Sequence, residues 1–214
     1  VNERPGGFVV ALAIVLVIAV VALAVVGIRA LGIGEPGPPV ALIGDSITFN
    51  LQKEANRRLG DDYALTVDGR PGYLAGEQLP AVENAARFPF DQIVINLGTN
   101  DVMTSDHDLD ETIASLDQAV TAVAGIRCVH LVTVGEAMIN DTEDAGPRAR
   151  RVNQAIREIA ARHPNVRVID WAAIERQEQA DRGEPITTDT VHPTDVGNRV
   201  LADAYGESLA ACNA

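Results

Sequence analysis

The sequence predicts an α/β domain on a five-stranded parallel sheet, preceded by one membrane-spanning helix. Three observations carry that prediction. Five short apolar runs, Val40–Ile43, Ala64–Val67, Gln92–Leu97, Cys128–Val134 and Val166–Ile169, recur along the chain. Most are rich in Val and Ile without alternation, as expected of parallel strands covered on both faces. Between them lie segments with apolar residues every three or four positions, so strand and helix alternate with right-handed crossovers. The third observation is the uncharged stretch Phe8–Ile28.

That stretch is nearly all Val, Ala, Leu and Ile. As a helix it would reach roughly 30 Å, the thickness of a bilayer core. It exceeds the apolar part of a signal peptide, about 7–15 residues, and Gly27–Leu31 offers no clean cleavage site. An uncleaved transmembrane anchor over 8–29 is therefore favoured. The short tail 1–7 is expected in the cytoplasm and the domain outside it, at the cell envelope. Residues 30–39, "ALGIGEPGPP", cannot continue a helix and read as a short, stiff linker. The domain follows over 40–214.

Charge narrows the partners. The chain carries 17 Lys and Arg against 30 Asp and Glu, a net charge of −13. Setting aside Arg4, Arg29, Glu3 and Glu35 leaves 15 basic and 28 acidic residues, and the same net charge. Nucleic acid is thereby disfavoured, because binding a polyanion needs basic neutralisation. Two cysteines, Cys128 and Cys212, are too few for a disulfide framework. Cys128 opens an apolar run and reads as a buried hydrophobe, with a single bridge to the C-terminal tail as the other reading. No paired Cys/His spacing occurs, so neither metal nor cofactor is expected.

Three helices stand out between and after the strands. Leu109–Val123 repeats through Leu109, Ile113, Leu116, Val120 and Val123. Ala149–Ala161 repeats through Val152, Ile156 and Ile159, with Arg148, Arg150, Arg151 and Arg157 mostly placed for solvent. A last helix is expected over Asp195–Ala210.

In open parallel sheets, functional residues gather at the carboxyl ends of the strands. The first strand ends at Gly44-Asp45-Ser46, and the second runs into Asp68-Gly69-Arg70-Pro71-Gly72. The third ends at Gly98-Thr99-Asn100-Asp101. A serine in such a turn commonly caps a helix. The Gly-x-Ser-x-Gly elbow is absent, since Ile47-Thr48 follows Ser46. A nucleophilic serine would need a base, an orienting group and oxyanion donors. Among four histidines, His107 reads as a solvated loop residue, His130 as a satisfied core residue and His163 as the complement of a helix end. His192 differs: it sits in "TTDTVHPTDVG" with Asp189 three residues earlier. A turn of that length can bring the carboxylate to Nδ1 and leave Nε2 for a hydroxyl.

These blocks, in this order, resemble the SGNH/GDSL hydrolase superfamily. Gly44-Asp45-Ser46-Ile47 is similar to its first block, Gly98-Thr99-Asn100-Asp101 to its third, and Asp189-Thr190-Val191-His192-Pro193 to its last. For the second, Gly72 in "DGRPGY" fits better than Gly69. The resemblance implies a flavodoxin-like three-layer α/β/α fold, with Ser46 as nucleophile, His192 as general base and Asp189 as its orienter. It also implies an oxyanion hole of the Ser46 and Gly72 N–H groups and the Asn100 amide, with Asp45 and Asp101 holding loops. "VRVIDWAAI" and "VDGRPGY" are similar to SGNH domains attached to membrane acyltransferases that O-acetylate cell-wall sugars. Arg70 and Trp171 thus become candidate substrate contacts, although Trp171 at a strand end also reads as packing. The likeness is local: Asn100 is followed by Asp101, and this chain holds no multi-span acyltransferase.

The expected function is a membrane-anchored serine esterase acting on acyl or acetyl esters of a small molecule or glycan. Transfer of acetyl to cell-envelope glycans is the alternative. A catalytically silent binding domain is a second alternative, which would be marked by missing triad or oxyanion residues.

Overall fold

The computed structural model describes residues 37–140 and 143–213. The membrane segment and most of the linker expected before the domain lie outside these residues. Among the described residues, no helix is long and apolar enough to cross a membrane.

The sheet begins with β1 (Pro39–Gly44), whose residues from Val40 on are buried. Helix α1 (Ser46–Leu59) follows after one residue and buries Ile47, Leu51, Ala55 and Leu59, spaced four apart. The chain continues through β2 (Ala64–Gly69), α2 (Ala75–Ala85), β3 (Gln92–Asn96), α3 (Thr99–Met103) and α4 (Leu109–Ala122). Strand β4 (Cys128–Val132) leads to a small hairpin, β5 (Ile139–Asn140) and β6 (Glu143–Asp144). Helix α5 (Gly146–Arg162), β7 (Val166–Ile169), α6 (Trp171–Arg182) and α7 (Asp195–Asn213) complete the domain.

All five expected strands form one parallel sheet in the order β2-β1-β3-β4-β7. This is the doubly wound arrangement in which the strand order reverses on either side of β1, opening a crevice at the carboxyl ends. The register aligns the strand ends there, with Gly44 opposite both Gly69 and Asn96. β1 feeds two cores. Val40 and Leu42 pack with Leu51, Leu201, Tyr205 and Leu209 on one face. Ala41 and Ile43 pack with Val82, Leu116, Val152 and Ile156 on the other.

Helix α1 begins at the serine, where the turn reads as a helix cap or a nucleophile's mount. Three other helices have no counterpart in the sequence reading, for local reasons. Helix α2 contains Pro80 and follows a Pro-Gly turn, both of which look like helix breakers. Helix α3 has five residues, too few for periodicity. Helix α6 buries only Trp171, Ala172 and Glu175, so its pattern is mostly polar. Cys128 is both buried and bridged to Cys212, fastening the start of β4 to the end of α7.

Candidate active site

The turn after β1 divides two tasks between adjacent residues. Asp45 is the N-cap of α1: its carboxylate accepts the Ile47 N–H at 2.9 Å. Ser46 is therefore the first helical residue, and its hydroxyl is released from capping. It lies instead 2.8 Å from Nε2 of His192. Burial pushes the Asp45 carboxyl up to about 6, against the hydrogen bond from Ile47.

His192 is held by its own loop. Its Nδ1 lies 2.7 Å from Asp189 Oδ2, while Asp189 Oδ1 accepts the backbone N–H groups of His192 (2.7 Å) and Val191 (3.1 Å). Burial raises the Asp189 carboxyl, but hydrogen bonds from the His192 N–H, the His192 ring and Val191 outweigh it and bring it down to about 2. An ionised partner at Nδ1 keeps that nitrogen protonated and leaves Nε2 as the acceptor. Thr190, between them, sits at φ +66°, the one non-glycine in the left-handed region among the described residues. Its hydroxyl oxygen accepts the Ile139 N–H at 3.0 Å, so the β5–β6 hairpin supports the loop.

The opposite wall comes from β2 and β3. Arg70-Pro71-Gly72-Tyr73 forms a turn closed by the Tyr73 N–H on the Arg70 carbonyl at 3.2 Å. Proline second and glycine third, with Gly72 at φ +81°, are what a type II turn requires. Gly69 has a different role: a Cβ there would meet the Phe49 N at 2.3 Å, so it lets β2 approach α1. Asn100, in the first turn of α3, donates from Nδ2 to the Tyr73 carbonyl at 2.9 Å. An amide NH2 has two N–H groups, so a second remains for another acceptor. Among the described residues, the Ser46 and Gly72 N–H groups donate to nothing. Asp101 is fully buried and accepts the Ala75 N–H at 3.0 Å.

Arg70 is exposed and paired through two nitrogens to Asp68 at 2.9 and 3.1 Å, with its guanidinium 5.7 Å from the centre of the Tyr73 ring. Trp171 is the correction among the candidate contacts. Only 2% exposed, it packs into the core with Val132 and Ile169 and offers no face to a ligand. Two other readings are also corrected. His107 is not a solvated loop residue: its Nε2 meets the Thr112 hydroxyl at 3.0 Å and Asp101 at 3.3 Å. Arg148 does not point to solvent but donates to the carbonyls of Asp101, Val102, Thr104 and His107 at 2.8–3.0 Å. His130 is the satisfied core residue expected, between Gln92 and Ser208.

The sequence reading missed the exposed aromatics beside the site. Phe49 lies three residues after Ser46, hence on the same side of α1, and is 52% exposed. Tyr73, next to Gly72, is also exposed. Spacing from the candidate nucleophile and the glycine was the available signal.

The model of the GDSL-like lipase/acylhydrolase family matches residues 42–200. A Bacillus subtilis protein provisionally named a peptidoglycan O-acetyltransferase is 24% identical over 164 residues, 76% of this chain. The chain spans 22% of that protein's length. A lipolytic protein of the G-D-S-L family from Veillonella parvula superposes with a TM-score of 0.68 at 22% identity, covering 80% of this chain and 97% of the other. Acetylxylan esterase from Geobacillus stearothermophilus gives 0.66 at 21% identity, with 80% and 94% covered. At these identities the structural likeness is one of fold.

Proposed function

Because the chain belongs to the GDSL-like lipase/acylhydrolase family, we propose that it is a serine esterase cleaving carboxylic acyl or acetyl esters through an acyl-enzyme. One observation carries this reading: the continuous chain from the Ser46 hydroxyl through His192 to Asp189, at 2.8 and 2.7 Å. His192 Nε2 takes the hydroxyl proton as Ser46 Oγ attacks the ester carbon. The oxyanion then receives hydrogen bonds from the Ser46 and Gly72 N–H groups and the Asn100 amide. His192 returns the proton to the leaving alcohol, and water, activated in the same way, releases the acid. Asn suits the oxyanion role because it donates without a charge that would retain the carboxylate product. Asp189 stays ionised and orients the ring.

The test is direct. The purified protein should hydrolyse p-nitrophenyl acetate, and Ser46→Ala should abolish turnover. Equal activity in the variant would sink the nucleophile assignment.

Similarity to the Bacillus subtilis relative over 76% of the chain favours a second reading, acetyl transfer to an envelope glycan hydroxyl. Both reactions share the acyl-enzyme and differ in what resolves it. Release of acetate, measured against transfer to an oligosaccharide acceptor, separates them. In either reading, exposed Arg70 is a candidate contact for the substrate beyond the ester.

An extracytoplasmic domain behind an N-terminal anchor fits both reactions. The Cys128–Cys212 bridge supports that placement, since such bonds persist in oxidising compartments. A C-terminal reporter active only in the cytoplasm would overturn it.

A further inference from the structure

The Gly72 loop is pinned at each residue that follows it. The Tyr73 carbonyl is held by Asn100 Nδ2, and the Leu74 N–H by the Glu77 carboxylate at 2.8 Å. The Ala75 N–H is held by Asp101. Leu74, as N-cap of α2, has no side chain that can cap the helix. Asp101 therefore supplies from another element what the local sequence lacks: a carboxylate on a first-turn N–H.

Asp101 is itself held from behind. The Thr112 hydroxyl donates to Asp101 Oδ1 at 2.9 Å. With its proton committed there, Thr112 can only accept from His107, so His107 Nε2 carries a hydrogen. The His107 side chain is 15% exposed and lies against a cavity of about 210 Å³ behind the loop, shared with Leu74, Gly76, Glu77 and Glu111. The Arg148 guanidinium fixes the carbonyls around this segment, the His107 carbonyl included. The chain His107–Thr112–Asp101–Ala75 thus runs from the loop before α4 to the base of the Gly72 turn.

We infer that His107 is a positioning residue: through Thr112 and Asp101 it latches the loop carrying the Gly72 N–H at the distance an oxyanion requires. Its effect is on placement, since it touches neither Ser46 nor His192. Oxyanion donors act within a few tenths of an ångström, so a loosened latch weakens the transition state more than substrate binding. The inference rests on the oxyanion reading of Gly72 and Asn100.

Two measurements on the full chain test it. Hydrogen exchange over residues 73–79 reads the latch without any substrate. His107→Ala and Thr112→Val should each speed exchange of the Ala75 amide about tenfold and leave β3 unchanged. With p-nitrophenyl acetate, both variants should lower kcat about five- to twentyfold with KM within about twofold. The double variant should lose less than the product of the two single losses, because both residues act on the same Asp101 carboxylate. His107→Gln, whose amide can reach with the same N–H, should restore both readouts to within about twofold. A merely structural histidine would not be rescued in this way. If His107→Ala does not fold, Thr112→Val and His107→Gln carry the test. Unchanged Ala75 exchange in Thr112→Val, or a kcat loss that glutamine fails to restore, overturns the inference. Asn100→Ala with full activity would instead overturn the oxyanion reading, while Ala75 exchange would still decide the latch.

Discussion

The two walls of the candidate site are built on opposite principles. On the His192 side, imidazole and carboxylate are three residues apart, and Asp189 binds the ring and the backbone of one turn. That wall is open to solvent, with the Asp189 side chain 55% exposed. On the Gly72 side, the contacts join residues 26 and 27 positions apart, and the carboxylate at their centre is fully buried. The first wall keeps its geometry mainly through a short loop's own hydrogen bonds, with one brace from the β5–β6 hairpin at Thr190. The second keeps it only if α2, α3 and α4 are packed correctly. Local geometry should therefore fail by losing chemistry at one residue, and distributed geometry by degrees.

The largest effect expected is that of Asp189→Asn. The replacement's carbonyl oxygen can still accept the Val191 and His192 N–H groups, so the loop should stand. Its amide, however, presents a donor to His192 Nδ1 and favours the wrong tautomer. The kcat for p-nitrophenyl acetate should fall on the order of 10⁴-fold, with the melting temperature lowered by no more than a few degrees as the largely exposed carboxylate's charge is lost. Asn100→Ala comes next, lowering kcat about 10²–10³-fold with little change in KM. If Asn100→Ala cost more than Asp189→Asn, the ranking of the two walls would be reversed. A smaller loss is expected for Gly72→Ala. Nothing lies within 4 Å of the added methyl, but at φ +81° the alanine costs about 1 kcal/mol of backbone strain. Stability measured by denaturant should drop by about that amount, and kcat should follow as the N–H moves.

The same contrast explains what the sequence made legible. Strands β1, β3 and β4 were readable because burial on both faces demands continuous apolar runs, and the partly buried edge strands β2 and β7 through their β-branched residues. Asp189 and His192 were readable because three residues of turn fix their approach. Gly72 is placed by resemblance, as the glycine of a turn after β2, and the type II turn that holds it emerges only in the fold. The partners of Asp101 were not readable: Thr112 looks like an ordinary position on α4, and His107 sits among acids that suggest solvent. Only folding α3 against α4 reveals the three as one network. Trp171 is a different case. A tryptophan at a strand's carboxyl end reads as core packing or, less readily, as a ligand platform, and α6 turns it inward, which leaves the packing reading.

Glu175 offers a control on the comparison, since it is buried on the same edge of the sheet and bonded to neither wall. It is 2% exposed, packs against Gly135 and accepts from Gln179 at 2.9 Å. Burial pushes its carboxyl up to about 7 from its ordinary 4.5. Below pH 4.5 the group is protonated in both folded and unfolded chains and costs nothing. As pH rises through 7, the folded state must hold a buried charge that the unfolded chain solvates freely. Stability is lost over that window, by up to about 3 kcal/mol. His130 works the other way. Burial, with the Arg167 charge, brings it down to about 4, so it destabilises the fold as pH falls from its ordinary 6.5. The two terms offset each other in the wild-type profile, but only Glu175 differs in Glu175→Gln. The variant's stability advantage, from urea unfolding at pH 4.5 and 8, should therefore be near zero at the first and largest at the second. Its kcat at pH 8 should match wild type. A pH-independent difference would remove the buried charge as the cause, and a kcat loss would extend the distributed wall to α6.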